Sequence, residues 1–121
     1  FQEKTNKVKN DLVAFLLEAK KENKKVIAYG AAAKGNTLLN YAGVKNDLIE
    51  FVVDKSPYKQ GKFMPASHIP IVKEKKIQEL QPDYILILPW NIKDEVIEQL
   101  SYIKEWNGKF VVAVPELKVI S

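Results

Sequence analysis

The stretch Lys25–Tyr41, KVIAYGAAAKGNTLLNY, decides the fold of this 121-residue chain. It begins with the short apolar run Val26–Tyr29, which is typical of a buried parallel strand. The run ends at Gly30, small residues follow as far as Gly35, and Asn36–Tyr41 is predicted to be a helix. A strand, a glycine-bounded turn and a helix N-terminus together favour binding of an anion, because the first N–H groups of a helix have no intrahelical partner.

The remaining sequence alternates helical and strand patterns. Residues 2–23 carry apolar side chains at helical spacing and predict an amphipathic covering helix. The alternation predicts an α/β fold, specifically a Rossmann-like three-layer α/β/α domain with a mostly parallel sheet. The predicted later strands are Leu48–Val53, Ile71–Val72, Asp83–Leu88, Phe110–Val114 and Leu117–Ile120, and the predicted later helices are Lys73–Leu80 and Ile92–Ile103, the last with Asn91 as its N-cap.

Length and composition predict one domain over residues 1–121, with 1–23 as a connecting or covering helix and 24–121 as the α/β core. A hydrophobic content of 46% favours a packed core over disorder. The lack of cysteine excludes thiolate catalysis and cysteine metal sites from this chain, and it fits a cytoplasmic location. Because the chain starts at Phe1 rather than Met, we expect a domain taken from a larger protein.

Charge and hydropathy argue against two classes of partner. The net charge of +4 comes entirely from lysine, and the chain has no arginine, the residue that nucleic-acid readers favour. Apolar runs fall well short of the ~18 residues that a membrane span needs. A single histidine cannot form a multi-histidine metal site. We therefore expect no nucleic acid, no membrane and no metal bound by this chain.

The glycine loop approaches two phosphate-binding motifs without satisfying either. Gly30, Gly35 and Thr37 match the spacing of GxxxxGK[ST], but Asn36 replaces the lysine, which argues against triphosphatase chemistry. Against GxGxxG, Ala32 stands at the middle glycine, which weakens ordinary NAD binding. Two interpretations stay open: contact with an anion or nucleotide, which the pattern favours, and a small-residue turn required only for packing.

Other candidate residues follow the predicted strands, whose carboxyl ends form the ligand-binding edge of a parallel sheet. Four segments are predicted to gather there, namely Gly30–Thr37, Asp54–Lys62, Pro89–Asn91 and Pro115–Glu116. The long irregular stretch Lys55–Pro70 is also of the kind that tends to be functional. The predicted substrate- or nucleotide-binding residues are Gly30, Ala32, Lys34, Gly35, Asn36, Thr37, Asp54, Ser56, Lys62, His68, Trp90 and Asn91.

Each of these residues also has a plainer interpretation. Asp54 lies where a dinucleotide fold places its ribose ligand, but an aspartate at a strand end is also a common turn former. Lys34 would add charge to a site or be a solvated lysine, and His68 would be a base or an ordinary loop histidine. Trp90 and Asn91 would contact a ring and a polar edge, or would pack and cap a helix.

Three separated segments resemble the C-terminal domain of sugar C-methyltransferases. They are Tyr29–Tyr41 (YGAAAKGNTLLNY), Val52–Ile71 (VVDKSPYKQGKFMPASHIPI) and Leu88–Asn91 (LPWN), and the resemblance extends from about Lys25 to Glu116. Carried over by position, the motifs of that family fall on the loop Gly30–Thr37, on Asp54, Lys55, Ser56, Lys59, Gly61, Lys62, Pro65 and His68, and on Pro89, Trp90 and Asn91.

The resemblance implies a function for a larger enzyme. Members methylate a carbon of a nucleotide-linked deoxysugar with S-adenosylmethionine, and they carry an N-terminal zinc-binding region and a central methyl-donor domain. By this resemblance, the present domain has no catalytic residues and binds no cofactor or metal itself. It would contact the nucleotide-sugar and the methyl-donor domain of the same polypeptide. The residues alone leave two alternatives, a stand-alone nucleotide- or NAD(P)-binding module and a purely structural domain.

Overall fold

A mixed sheet forms the centre of the fold, and helices cover both of its faces. The computed structural model describes residues 2–120, with side chains from residue 6 onward. The strands are β1 (Val26–Tyr29), β2 (Val52–Val53), β3 (Ile71–Val72), β4 (Tyr84–Ile87), β5 (Lys109–Val112) and β6 (Lys118–Ile120). The helices are α1 (Gln2–Lys21), α2 (Ala33–Ala42), α3 (Lys75–Leu80) and α4 (Lys93–Gln99).

The strand order is β3-β2-β1-β4-β5-β6, which is the order of a Rossmann fold. Strands β1 to β5 are parallel, and β6 runs antiparallel beside β5. The chain moves outward from β1 to β3 and then returns to place β4 on the other side of β1. The order therefore reverses between β1 and β4, where such sheets bind their ligands. The predicted α/β class with an N-terminal helix is confirmed.

Alternation along the strands divides the core into two layers. In β1, Val26 and Ala28 pack toward α1 and α2, whereas Ile27 and Tyr29 pack toward α3 and α4. Both sets are buried, because helices cover both faces, and this explains why the strand reads as a continuous apolar run. The first layer also receives Leu12, Leu16 and Ala19 of α1, and the second receives Ile77, Val96, Leu100 and Ile103.

The predicted helix Ile92–Ile103 is wrong in two respects. The chain there forms a 3-10 turn (Trp90–Ile92), the helix α4 and a second 3-10 segment (Ser101–Trp106). Leu100 and Ile103 are three residues apart and both buried, and a 3-10 turn keeps residues at that spacing on one face. Asn91 is not an N-cap, because it lies within the first 3-10 turn and no side-chain bond caps α4.

The second predicted strand is shorter than expected. Only Val52–Val53 pair as strand β2, although backbone bonds from Glu50 N to Val26 O (3.1 Å) and from Ala28 N to Phe51 O (3.0 Å) extend the contact with β1. Between β2 and β3, residues 54–70 form turns rather than the usual helix. This segment reaches the carboxyl edge of the sheet beside the glycine loop.

A search of the described helices for a membrane span found none that is long and apolar enough to cross a bilayer.

Candidate functional site

The two glycines of the loop allow β1 and α2 to pack closely against the end of β4. Gly30 has a φ of +96°, and a Cβ placed on it would lie 2.5 Å from Pro89 Cδ. A Cβ on Gly35 would lie 2.6 Å from Leu88 Cβ. Side chains cannot approach that closely, so glycine is required at both positions whatever the loop binds.

Helix α2 begins three residues earlier than predicted, at Ala33, and its start lies within the loop. Its N-cap is Ala32, whose methyl group makes no capping hydrogen bond. The first backbone bond of the helix joins Asn36 N to Ala32 O at 3.0 Å. The amides of Lys34 and Gly35 precede this bond and belong to the free end of the helix, where partial positive charge accumulates.

Asp54 fastens the glycine loop to the segment that follows β2. Its Oδ2 accepts a hydrogen bond from Ala31 N at 2.8 Å, and its Oδ1 accepts one from Ser56 N at 2.8 Å. Lys59 Nζ lies 4.0 Å from Oδ2 and donates to Ala31 O at 3.2 Å. Both carboxylate oxygens thus bind backbone amides of the protein. This geometry gives Asp54 a positioning role, and its predicted contact with a ribose stays a prediction.

A cleft of about 390 Å³, cleft A, opens on one side of the loop. It is lined by the glycine loop and Met64, together with Lys59 and Lys62. Tyr58 is 85% exposed and Phe63 is 61% exposed, so two aromatic rings stand at this cleft in solvent. The lining residues of cleft A are Ala31, Ala32, Ala33, Asn36, Tyr58, Lys59, Lys62, Phe63, Met64, Pro65 and Ile71.

A second cleft of about 360 Å³, cleft B, lies on the other side of the loop, between α2 and the end of β4. Of the predicted residues it contains Ala32, Lys34, Gly35, Trp90 and Asn91. Clefts A and B share Ala32 and Ala33, so both open onto the start of α2. The lining residues of cleft B are Ala32, Ala33, Lys34, Gly35, Leu88, Pro89, Trp90, Asn91 and Ile92.

Asn36 lies in the lining of cleft A with an unsatisfied amide oxygen. Its Oδ1 is buried and has no hydrogen-bond partner in the described part of the chain. Most buried polar atoms are paired, so an unpaired one needs an explanation such as water or a ligand. Asn36 also stands at the position where the triphosphatase motif has its lysine.

Five predicted residues lie outside the lining of both clefts: Gly30 and Asp54, described above, and Thr37, Ser56 and His68. Thr37 is exposed on α2, where its hydroxyl donates to Ala33 O at 2.9 Å. Ser56 contributes its backbone amide to Asp54. His68 is exposed near the tip of a hairpin whose Phe63 and Pro70 pair as an antiparallel bridge, and its own backbone has a φ of +59°.

The predicted gathering of four segments is correct for three of them. The glycine loop, the segment after β2 and Pro89–Asn91 line the two clefts. Pro115–Glu116 instead lines a depression with Lys7 and Val8 of α1. This segment follows β5, one strand further from the point where the order reverses, and the strand pairing was not known from the sequence.

The predicted binding residues did not include Tyr58, Lys59 and Phe63, although Lys59 is one of the positions on which the family motif falls. Two aromatic residues and a lysine within a turn-rich stretch were a usable signal, because aromatic side chains in a solvent-exposed loop have no core to occupy. What the sequence could not supply was the fold of residues 54–70 back onto the glycine loop.

A polar cluster lies at the start of α3, on the face of the sheet that α3 and α4 cover. Glu74 accepts hydrogen bonds from Gln99 Nε2 at 2.7 Å and from Tyr102 Oη at 3.1 Å. Burial, and secondly the carboxylate of Glu74, raises the pKa of Tyr102 above its ordinary value. Because it lies apart from clefts A and B, this cluster stabilises the fold rather than the site.

Comparison with known proteins identifies the class. Over residues 1–115 the chain matches the family described as the C-methyltransferase C-terminal domain, and it belongs to that family. The resemblance found in the sequence is therefore confirmed at the level of a C-methyltransferase. The residues that line clefts A and B all lie within the matched range.

Among individual proteins, C-methyltransferase NovU of Streptomyces niveus is 40% identical to this chain over 100 residues. The match covers 83% of this chain and 24% of the relative. The chain thus spans about a quarter of the length of the curated relative it matches.

Proposed function

We propose that this domain encloses a nucleotide-linked deoxysugar within an S-adenosylmethionine-dependent C-methyltransferase and contributes no catalytic residue itself. Membership of the C-methyltransferase C-terminal family supports the enzyme class. The observation that supports a nucleotide-linked sugar as the substrate is that clefts A and B meet at Ala32 and Ala33, at the start of α2. Two clefts joined at a helix N-terminus suit an elongated ligand with an anionic centre.

A nucleoside diphosphate sugar has that shape, with a base at one end, a sugar at the other and a diphosphate between them. In cleft A, the exposed rings of Tyr58 and Phe63 offer stacking surfaces for a base. The diphosphate would lie over the first turn of α2, with Lys34 and Lys62 as cations. The sugar would then occupy cleft B, beside Trp90 and Asn91.

The methyl donor fits this domain poorly. In dinucleotide folds an acidic side chain at the end of β2 binds the ribose, whereas here each oxygen of Asp54 holds a backbone amide and the side chain is only 15% exposed. Among the described residues, no group of three or more His, Cys, Asp or Glu side chains could hold a metal ion. We therefore assign S-adenosylmethionine and zinc to other domains of the polypeptide. We also propose that the enzyme is cytoplasmic.

The contacts of Gly30 and Gly35 support a second candidate, a purely structural domain. Packing against Pro89 and Leu88 explains both glycines without any ligand. Packing does not explain the exposed aromatic rings at cleft A, however, or the uncapped start of α2. A stand-alone NAD(P)-binding module is disfavoured by Ala32 at the middle glycine position and by the low exposure of the Asp54 side chain, which is 15%.

Steady-state kinetics of the full-length polypeptide test the proposed function. Lys62→Ala should raise the Michaelis constant for a dTDP-deoxysugar about tenfold, because an anion contact of ~1.4 kcal/mol would be lost. The Michaelis constant for S-adenosylmethionine should not change. Lys104→Ala, at an exposed lysine in the segment Ser101–Trp106, is the matched control. Equal Michaelis constants for the dTDP-deoxysugar in both variants would favour a purely structural domain. Tight NAD binding would favour a stand-alone NAD(P)-binding module.

A further inference from the structure

Helix α1 has a second apolar stripe that does not face the sheet. Val13, Ala14 and Leu17 line a groove of about 490 Å³ together with the C-terminal end of α2. Leu17 is 53% exposed and Tyr41 is 43% exposed. A helix that only covers a sheet needs one apolar stripe, and Leu12, Leu16 and Ala19 already supply it. The second stripe is therefore not explained by the core.

The groove continues to the candidate site. Tyr41 also lines a depression with Leu38 and Trp90, and Trp90 is part of cleft B. A continuous surface thus runs from α1 over α2 to the carboxyl edge of the sheet. We call this surface the apolar band, and it consists of Val13, Ala14, Leu17, Leu38, Tyr41 and Trp90.

Two contacts hold the side chain of Tyr41, one at its hydroxyl group and one over the face of its ring. Its hydroxyl donates to Asn6 Oδ1 at 2.6 Å, and Lys9 Nζ lies 5.3 Å from the ring centroid. The band therefore presents a preorganised aromatic ring instead of a mobile one. Such rings, with aliphatic neighbours and a charged rim, are typical of the centre of a protein interface.

We propose that the apolar band docks against another domain of the same C-methyltransferase polypeptide. This inference rests on the proposed function only in requiring a larger enzyme. The curated relative matches this chain over 24% of its length, so about three quarters of that relative lies outside the match. A domain seated on the band would also border cleft B at Trp90, and its own groups would then face the candidate site.

The chemistry of the band defines the partner surface. Lys9 borders the groove at α1, and Lys34 borders the depression at the start of α2. An apolar patch with carboxylates at these two ends would be complementary, because like charges there would oppose docking. We accordingly expect a surface with aliphatic or aromatic residues at its centre and Asp or Glu at its rim.

Photo-cross-linking in the full-length polypeptide tests the docking directly. A benzoylphenylalanine in place of Leu17 should cross-link to residues outside this domain and within the same chain. The same replacement at Val119, an aliphatic residue of β6 that is 45% exposed, is the matched control and should give no such product. Cross-links from position 17 to a second copy, or equal results at both positions, would overturn the proposal.

A charge substitution provides an independent readout. Leu17→Lys should release the domain and speed proteolysis of the connection preceding α1 at least fivefold, whereas Val119→Lys should not. Unchanged proteolysis in a folded Leu17→Lys protein would contradict the docking. The test does not depend on the substrate: a cross-link at position 17 in a polypeptide that binds no dTDP-sugar would refute the proposed function and leave the docking intact.

Discussion

The carboxylate of Asp54 accepts a hydrogen bond from the backbone N–H of Ala31 at 2.8 Å, although the two residues are 23 positions apart. This bond joins the end of β2 to the glycine loop. The second oxygen holds Ser56 N at 2.8 Å, so a single side chain sets the position of both walls of cleft A. Together with the bond from Lys59 Nζ to Ala31 O, Asp54 sets the relative placement of the loop and the turn-rich segment.

Removing the charge of Asp54 should therefore weaken the fold. In Asp54→Asn, one of the two backbone amides would face an NH₂ group, and an unsatisfied partly buried donor costs ~1–3 kcal/mol. Denaturant unfolding measures this change in the free energy of unfolding. Asp47→Asn, at an exposed turn, is the matched control and should change stability by less than about 0.5 kcal/mol. Equal effects at the two positions would show that the bonds of Asp54 contribute little.

The sign of the stability change in a Gly35 variant tests the close packing of α2 against the end of β4. Glycine to alanine within a helix ordinarily stabilises by about 1 kcal/mol. At Gly35 the added Cβ would meet Leu88 Cβ at 2.6 Å, so Gly35→Ala should instead destabilise by ~1–3 kcal/mol. Thermal unfolding compared with Asn40→Ala, at an exposed position of the same helix, provides the control. A stabilised Gly35→Ala protein would mean that α2 can move away from β4.

The polar cluster predicts a pH dependence of stability. The pKa of Tyr102 is raised in the folded state from its ordinary value of 10.0, so between these two pKa values the folded protein binds more protons than the unfolded chain. Stability contributed by Tyr102 is then fully present below pH 10 and falls as the pH rises above it. Tyr102→Phe removes the hydrogen bond to Glu74, so its free energy of unfolding at neutral pH should be lower than that of the wild type by ~1 kcal/mol. Above pH 10, the stability of the variant should fall less than that of the wild type. Parallel slopes for both proteins would contradict this assignment.

Tyr58 tests the aromatic contact separately from the fold. Because its side chain is 85% exposed, Tyr58→Ala should leave the unfolding midpoint unchanged. In the full-length polypeptide it should raise the Michaelis constant for the dTDP-sugar about tenfold, since base stacking on an aromatic side chain is worth ~1–3 kcal/mol. Val119→Ala, at another exposed apolar side chain, should have no effect. An unchanged Michaelis constant would contradict the proposal that the base binds in cleft A.

Local pattern predicted most of the fold because the strands are short, apolar and bounded by turn residues. The observed β1 has the predicted limits, β4 lies within its predicted run, and β5 begins one residue before its predicted run, at Lys109. The break between α4 and Ser101–Trp106 was missed, since apolar spacing along the sequence fits a continuous helix as well as a helix followed by 3-10 turns. The early start of α2 was missed because Ala33 and Lys34 favour helix but read as loop beside two glycines.

The site was predictable only in part. Strand ends identified the glycine loop and Trp90, because the carboxyl edge of a parallel sheet is a general property of the fold. The bonds of Asp54 and the contact between Gly35 and Leu88 depend on tertiary packing, which no local pattern encodes. For the same reason, Tyr58 and Phe63 could be placed at a cleft only after the segment 54–70 was seen to fold back.

Hydrogen–deuterium exchange of the full-length polypeptide, with and without a dTDP-deoxysugar, tests the central claim most directly. We predict slower exchange at the amides of Ala32–Gly35 and of residues 58–63 when the sugar-nucleotide binds, and no change there with S-adenosylmethionine alone. Peptides from Ser101–Trp106 serve as the internal control. Protection of the glycine loop by S-adenosylmethionine, or bound sugar-nucleotide without protection of the loop, would contradict the account.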